Sequence, residues 1–302
     1  MLPLSCFYTA LYLLPCPASA SRRMAGRRAL YSKAKPMPAS LHALRLLILG
    51  GTTEATMLCQ ALEGQSNIAP IVSLAGVTRT PHLPKIAVKI GGFGGSNGLS
   101  YWLQQNAIEA VIDATHPFAA TMSHNAALAC NALNIPLLRL ERPAWQPTPQ
   151  DCWHTVPSLQ AAAHMLATPA LWGNKHLTVF LTTGRKETAP FQAVPQHHYV
   201  LRSIDAPDAE ALPPHTTLIT ARGPFDLAAE IATLRHYQFD YIVTKNSGGN
   251  ATFPKIEAAR QLNIPVIMVN RPAPAATPCV ATATQALHWL KQYQTASTLR
   301  DV

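Results

Sequence analysis

A chain of 302 residues has room for one large or two medium domains and can bury a core without disulfides or structural metals. The formal charge of +9 points towards a polyanion until it is located: six of the 24 basic residues and none of the 15 acidic ones precede Leu44. The remaining 18 bases face all 15 acids, an excess that suits small anionic ligands. No Lys/Arg run interleaved with aromatics offers a groove for nucleic acid.

The six cysteines are scattered, with no CxxC pair and no histidine at metal-ligand spacing, so they read as reduced thiols and no metal site is expected. The pair His197-His198 reads as surface. Residues 1–43 lack acids altogether. Their apolar run at 9–14 is too short to span a membrane, and although Ala18-Ser19-Ala20 imitates a signal-peptidase site, no Lys or Arg precedes the run. The expectation is a disordered tail, with Met24 and Met37 as later candidate starts, on a cytoplasmic enzyme with no membrane partner.

From Leu44 the apolar run LRLLIL predicts a strand. It ends at Gly50-Gly51-Thr52-Thr53, after which Ala55, Leu58, Cys59 and Leu62 recur at helical spacing. Glycines let the backbone approach a ligand, and free N–H groups at a helix start attract phosphate, which makes Gly50, Gly51 and Thr52 candidates for cofactor binding. The motif is not a GxGxxG, and an unliganded turn is the alternative. A second strand over residues 71–74 ends at Ser73 and leads to Thr78 and Arg79, where a dinucleotide fold reads the adenosine ribose. With no acid there to take a free 2′-hydroxyl, Ser73 and Arg79 suit a 2′-phosphate, so NADPH is favoured and NADH is the alternative. A third strand (86–90) runs into five glycines within residues 91–98. Gly92 and Gly94 are assigned to a loop lying against the cofactor or its phosphates.

The stretch AVIDATHPFAA joins a buried-looking strand to Asp113, Thr115 and His116 and then to a helix over 118–133. A carboxylate, a hydroxyl and an imidazole within four residues at a strand's end lie where open α/β sheets bind ligands. Asp113 and His116 are candidate catalytic groups and Thr115 a cofactor contact. The plainer alternative is a capping aspartate and a structural histidine. A strand at 136–140, then Arg139, Glu141, Arg142 and the prolines at 143, 147 and 149, close the first domain at residue 142.

Residues 143–302 repeat the alternation: strands at 152–156, 178–181, 198–202, 217–219, 241–243 and 265–269, with helices between them and a last helix at 284–293. The fold class is therefore α/β, two Rossmann-like domains, each a mostly parallel sheet flanked by helices. The first (44–142) is expected to hold the cofactor, the second (143–302) the substrate, with a cleft between them. Three loops at strand ends carry a cation beside glycine: 182–185, 221–225 and 244–250. They suggest an anion-binding rim with Arg185, Arg222 and Lys245 as its cations and Asn246, Ser247 and Gly248 beside it. Lys245 is also a candidate proton donor, and its plainer alternative is a surface pair with Asp240.

The motifs LILGGTTEA, SLAG, GGFGG, DATHPFA, PLLRLERPAW, FLTTGR, ARGPF, VTKNSGGNAT and IPVIMVNRP, in this order between residues 46 and 290, resemble the precorrin-6A reductase family of corrin biosynthesis. The resemblance implies two Rossmann-like domains with the active site between them. It also implies hydride transfer from NADPH or NADH to a carbon–carbon double bond of a tetrapyrrole, and admits other corrin-pathway enzymes as partners. It leaves open a metal-free or a cobalt-containing substrate. Such a flat polycarboxylate asks for cations around a cleft, which Arg139, Arg142, Arg185, Arg202, Arg222 and Lys245 could supply from strand ends. The proton could come from Asp113, His116, Lys245, bound water or a substrate carboxyl. Two other readings stand beside it: an NADPH-dependent reductase of another substrate, and a non-catalytic dinucleotide-binding sensor.

Overall fold

The computed structural model describes residues 43–76, 85–173, 175–273 and 276–298, so the expectation for the tail lies outside the described residues except at its last position. The chain alternates strand and helix as the apolar runs predict: β1 (Leu44–Leu49), α1 (Thr53–Leu62), β2 (Ile68–Leu74), β3 (Ala87–Ile90), α2 (Gly95–Gln105), β4 (Ala110–Asp113), α3 (Ala120–Leu133) and β5 (Leu137–Leu140). There follow β6 (Trp153–Val156), α4 (Leu159–Leu166), α5 (Pro169–Trp172), β7 (Thr178–Leu181), α6 (Ala189–Gln192), β8 (His198–Ser203), β9 (Thr216–Thr220), α7 (Leu227–Tyr237), β10 (Tyr241–Lys245), α8 (Pro254–Gln261) and β11 (Val266–Val269). The two-residue β12 (Cys279–Val280) and α9 (Ala283–Thr298) end the described chain.

Two six-stranded sheets result, in the orders β12-β5-β4-β1-β2-β3 and β6-β11-β10-β7-β8-β9, with every strand pair parallel. Central strands are covered on both faces, which is why β1 and β4 read as unbroken apolar runs. One face of the first sheet packs Leu46 and Ile48 against Leu58 and Leu62 of α1, and the other packs Leu47 and Leu49 against Leu99 and Leu103 of α2. In such sheets the strand order reverses at a switch point, and the loops leaving the two strands there open a crevice beyond their carboxyl ends. The first sheet reverses between β1 and β4, the second between β7 and β10.

The expected division at residue 143 needs one correction, because the end of the chain does not stay with the second sheet. β12 pairs in parallel with β5, and α9 lies beside α1. The physical reason is burial: Ala286 and Leu290, both fully buried, join the cluster of Leu44, Leu46 and Leu58 and cover sheet surface that α1 alone leaves bare. Leu290→Ala therefore lowers the stability of the protein by about 2–5 kcal/mol. Urea unfolding monitored by circular dichroism measures this; a midpoint equal to that of the parent would mean that α9 is not part of the first core.

Candidate active site

At the first switch point Thr52 caps α1 with its side chain, which accepts from the Ala55 N–H at 3.1 Å and donates to Ala114 O at 2.8 Å. One hydroxyl thus ties the loop after β1 to the loop after β4. Gly51 has φ +118° and nothing within 4 Å of an added Cβ, so this turn requires glycine and its backbone is open to approach. Ser73 is buried at the end of β2, with its carbonyl accepting from Gly50 N–H. Arg79, and Thr78 with it, lie outside the described residues. Gly92 sits in a loop held by Lys89, whose ammonium donates to Gly91 O and Gly92 O and lies 4.1 Å from the Phe93 ring. Gly94 is the left-handed residue that starts α2, which begins inside the glycine run and not after it.

Asp113, 2% exposed at the end of β4, is engaged at both oxygens. Oδ1 accepts from the Thr115 N–H at 3.0 Å and the Thr115 hydroxyl at 2.7 Å, and Oδ2 pairs with Arg139 at 2.6 Å. Arg139 also donates to Thr115 Oγ1, Ser123 Oγ and Glu141. Asp113, Thr115 and Arg139 are therefore brought together, as one closed network. Beside it lies a cavity of about 560 Å³ whose walls include Asp113, Pro117, Ser123, His124, Arg139 and Arg271.

His116 Nδ1 accepts from the Phe118 N–H at 3.2 Å, which leaves the proton of a neutral ring on Nε2. Burial, and then the charges of Lys245, Arg142, Arg271 and Arg139, push its pKa down from the ordinary 6.5 to about 3. These four cations come from both halves of the chain, so the crevice of the first sheet looks towards that of the second. Lys245, at the end of β10, pairs with Glu187 from the segment after β7 and lies 5.1 Å from the Phe118 ring. The anticipated partner Asp240 instead pairs with Lys175. Tyr241 stands four residues before Lys245, the spacing of a short-chain dehydrogenase pair. On a strand that spacing separates them by about 13 Å, and Tyr241 packs on Trp172 at the far end.

Several rim candidates turn out to hold the halves together. Arg142 donates to Ser247 O, to Gly248 O and to Glu54 in the first turn of α1. Arg271, which nothing in the strand pattern singled out, donates to Asn246 O, Ser247 O, Arg142 O and Glu141. Gly248, at φ +67°, is required because a Cβ would strike the Pro143 carbonyl and the Arg271 guanidinium. Asn246 spends its amide on the Trp145 backbone, accepting from N–H at 2.8 Å and donating to O at 3.0 Å. Residues 246–248 thus present carbonyls to two arginines, the reverse of an anion cradle. Arg202 is buried between the Phe180 and Phe225 rings and paired with Glu230 at 2.7 Å. Arg185 and Arg222 do stand beyond the ends of β7 and β9, Arg185 at 4.0 Å from Asp205 and Arg222 exposed. Arg271, Glu141, Glu54 and Glu187 were missed, because no local pattern marks a side chain whose partners lie in other segments.

The model of the precorrin-6x reductase CbiJ/CobK family matches residues 45–291, and with them both switch points. The chain belongs to that family. It is 45% identical over 247 residues to a precorrin-6A reductase of Rhodococcus erythropolis, covering 82% of this chain and 97% of the relative. A cobalt-precorrin-6A reductase of Salmonella typhimurium is 30% identical over 77% of this chain and 89% of its own. A solved structure, CobK precorrin-6A reductase, superposes with a TM-score of 0.75 at 40% identity, covering 82% of this chain and 96% of that one. Among the described residues no cluster of three His, Cys, Asp or Glu suited to a metal occurs, and no helix is long and apolar enough to cross a membrane.

The depressed pKa of His116 carries a sign. The unfolded chain takes up its proton near pH 6.5 and the folded one only near pH 3, so the stability due to this residue is present above pH 6.5 and is lost as the pH falls towards 3. His116→Gln flattens the loss of melting temperature between pH 7 and pH 4. A thermal-melt series across that range with an unchanged slope would mean that His116 titrates normally.

Proposed function

We propose that the protein reduces precorrin-6A with NADPH, delivering hydride to a carbon–carbon double bond of the tetrapyrrole in cobalamin biosynthesis, in the cytoplasm. The observation that carries this reading is the pair of facing switch points: an approachable glycine turn on one side and a neutral histidine ringed by four cations between them. Membership of the family supports it. The higher identity to relatives named for precorrin-6A than to those named for its cobalt form favours the metal-free substrate.

The residues at the first switch point fit a dinucleotide. The open backbone of Gly51 and the positive end of α1 suit a pyrophosphate, with Gly50 and Thr52 shaping the turn. Ser73, and Arg79 beyond the described residues, are assigned to the ribose and its 2′-phosphate, and the loop of Gly92 and Gly94 to the adenosine side. The 560 Å³ cavity is in the size range of small-molecule sites and suits the nicotinamide end, because its arginines are already neutralised by Asp113 and Glu141. When bound, the reduced nicotinamide supplies the hydride.

Within this reading the protein's own groups orient and exclude water more than they exchange protons. Arg139 and Thr115 fix Asp113 as an acceptor. His116 is neutral and offers one N–H. Lys245, Arg185 and Arg222, at the carboxyl ends of the second sheet, attract the carboxylates of the substrate. The proton that completes the reduction comes from water or from a substrate carboxyl held near Lys245. Mixing the protein with NADPH and precorrin-6A under anaerobic conditions yields NADP⁺ and a macrocycle reduced by two electrons, followed by absorbance and mass spectrometry. Tight NADPH binding with no reduction of either precorrin-6A or its cobalt form would leave a dinucleotide sensor in place of a reductase.

A further inference from the structure

One ion pair at the facing crevices differs from the others. Arg139, Arg142 and Arg271 are held by Asp113, Glu54 and Glu141, whose side chains are 3, 17 and 19% exposed, and each arginine also donates to further oxygens. Lys245 is as buried as they are, at 13%, but its carboxylate partner Glu187 is 36% exposed. Glu187 lies in neither strand nor helix. Its segment is pinned at one end, where the Thr182 N–H donates to Val243 O, and at the other, where the Thr188 hydroxyl donates to Ala211 O. Between those pins Thr183 is 2% exposed and its hydroxyl has no hydrogen-bond partner. A tethered segment with an unsatisfied buried hydroxyl and a half-buried acid is poised to rearrange.

Resting on the reductase reading above, we propose that Glu187 is a stand-in for a carboxylate of the tetrapyrrole, holding Lys245 in the free protein and yielding that place when the substrate arrives. The exchange puts one carboxylate where another was, so Lys245 is never left buried and unpaired, which would be strongly destabilising. The location suits it, because the segment after β7 and the end of β10 flank the switch point of the second sheet. The Phe118 ring, 5.1 Å from the ammonium, adds an apolar surface beside the cation for the edge of a macrocycle.

A purely structural salt bridge and a displaced stand-in predict opposite signs. Removing a structural partner weakens substrate binding; removing a competitor strengthens it. The full chain, Glu187→Gln, Glu187→Asp, Lys245→Met and the double variant Glu187→Gln/Lys245→Met are titrated anaerobically with precorrin-6A by absorbance and with NADP⁺ by calorimetry. Glu187→Gln lowers Kd and KM for the tetrapyrrole by about fivefold and leaves the Kd for NADP⁺ unchanged. Lys245→Met raises the tetrapyrrole Kd, and in its background Glu187→Gln has no further effect. Should Glu187→Gln fail to fold, Glu187→Asp, which keeps the charge on a shorter arm, tightens binding in the same direction by a smaller factor. Unchanged or weaker tetrapyrrole binding by the folded Glu187 variant, with the parent still binding and reducing, overturns the exchange and spares the reductase reading. A parent that neither binds nor reduces the tetrapyrrole overturns both.

Discussion

A cation drawn partly out of water needs its charge met, and the carboxyl ends of these two sheets hold four whose side chains are only 12–16% exposed. Arg139, Arg142, Arg271 and Lys245 find their counter-charges on Asp113, Glu54, Glu141 and Glu187, which come from four different segments. Each pairing is a constraint on the chain path. Arg142 reaches back 88 residues to the first turn of α1 and forward about a hundred to two carbonyls after β10. Arg271 joins the segment after β11 to Glu141 and to the Asn246 and Ser247 carbonyls. Removing one member of such a set would strand the others in a low-dielectric setting, where an unpaired charge costs more than a mispacked side chain. The crevices face each other because these pairs hold the ends of the strands in one place.

The same network shapes the chemistry. Burial first, and then four nearby positive charges, keep the ring of His116 neutral, so that it offers one N–H. An aspartate with both oxygens occupied positions its neighbours. Under the proposed function these groups present a fixed, largely neutralised wall to the cofactor side, and Lys245, Arg185 and Arg222 stand on the side of the second sheet.

Much of this was legible before any coordinates. Apolar runs of four to six residues located β1, β4, β7, β8, β10 and β11, because strands buried on both faces cannot tolerate alternation. Polar residues at strand ends drew attention to Asp113, Thr115 and Arg139, which the fold brings into one network. What the pattern could not supply was partnership. Arg142 and Arg139 have the residue type of anion-binding groups, and nothing local tells that Glu54 or Asp113 already occupies them. Asn246 beside glycines looked like a ligand loop, whereas its amide accepts one bond from the Trp145 backbone and donates another to it. β12 is two residues long and has no periodicity to detect. The amphipathic pattern of α9 says that one face is buried but not against which sheet, so its return to the first core was out of reach.

If the two switch points divide cofactor from substrate, a crystal structure of the protein with NADP⁺ shows the pyrophosphate against the amides of Gly51 and Thr52 and the nicotinamide ring directed to the cavity beside Asp113 and Arg139. A pyrophosphate seated on Thr182–Arg185, with the turn after β1 empty, would contradict that division.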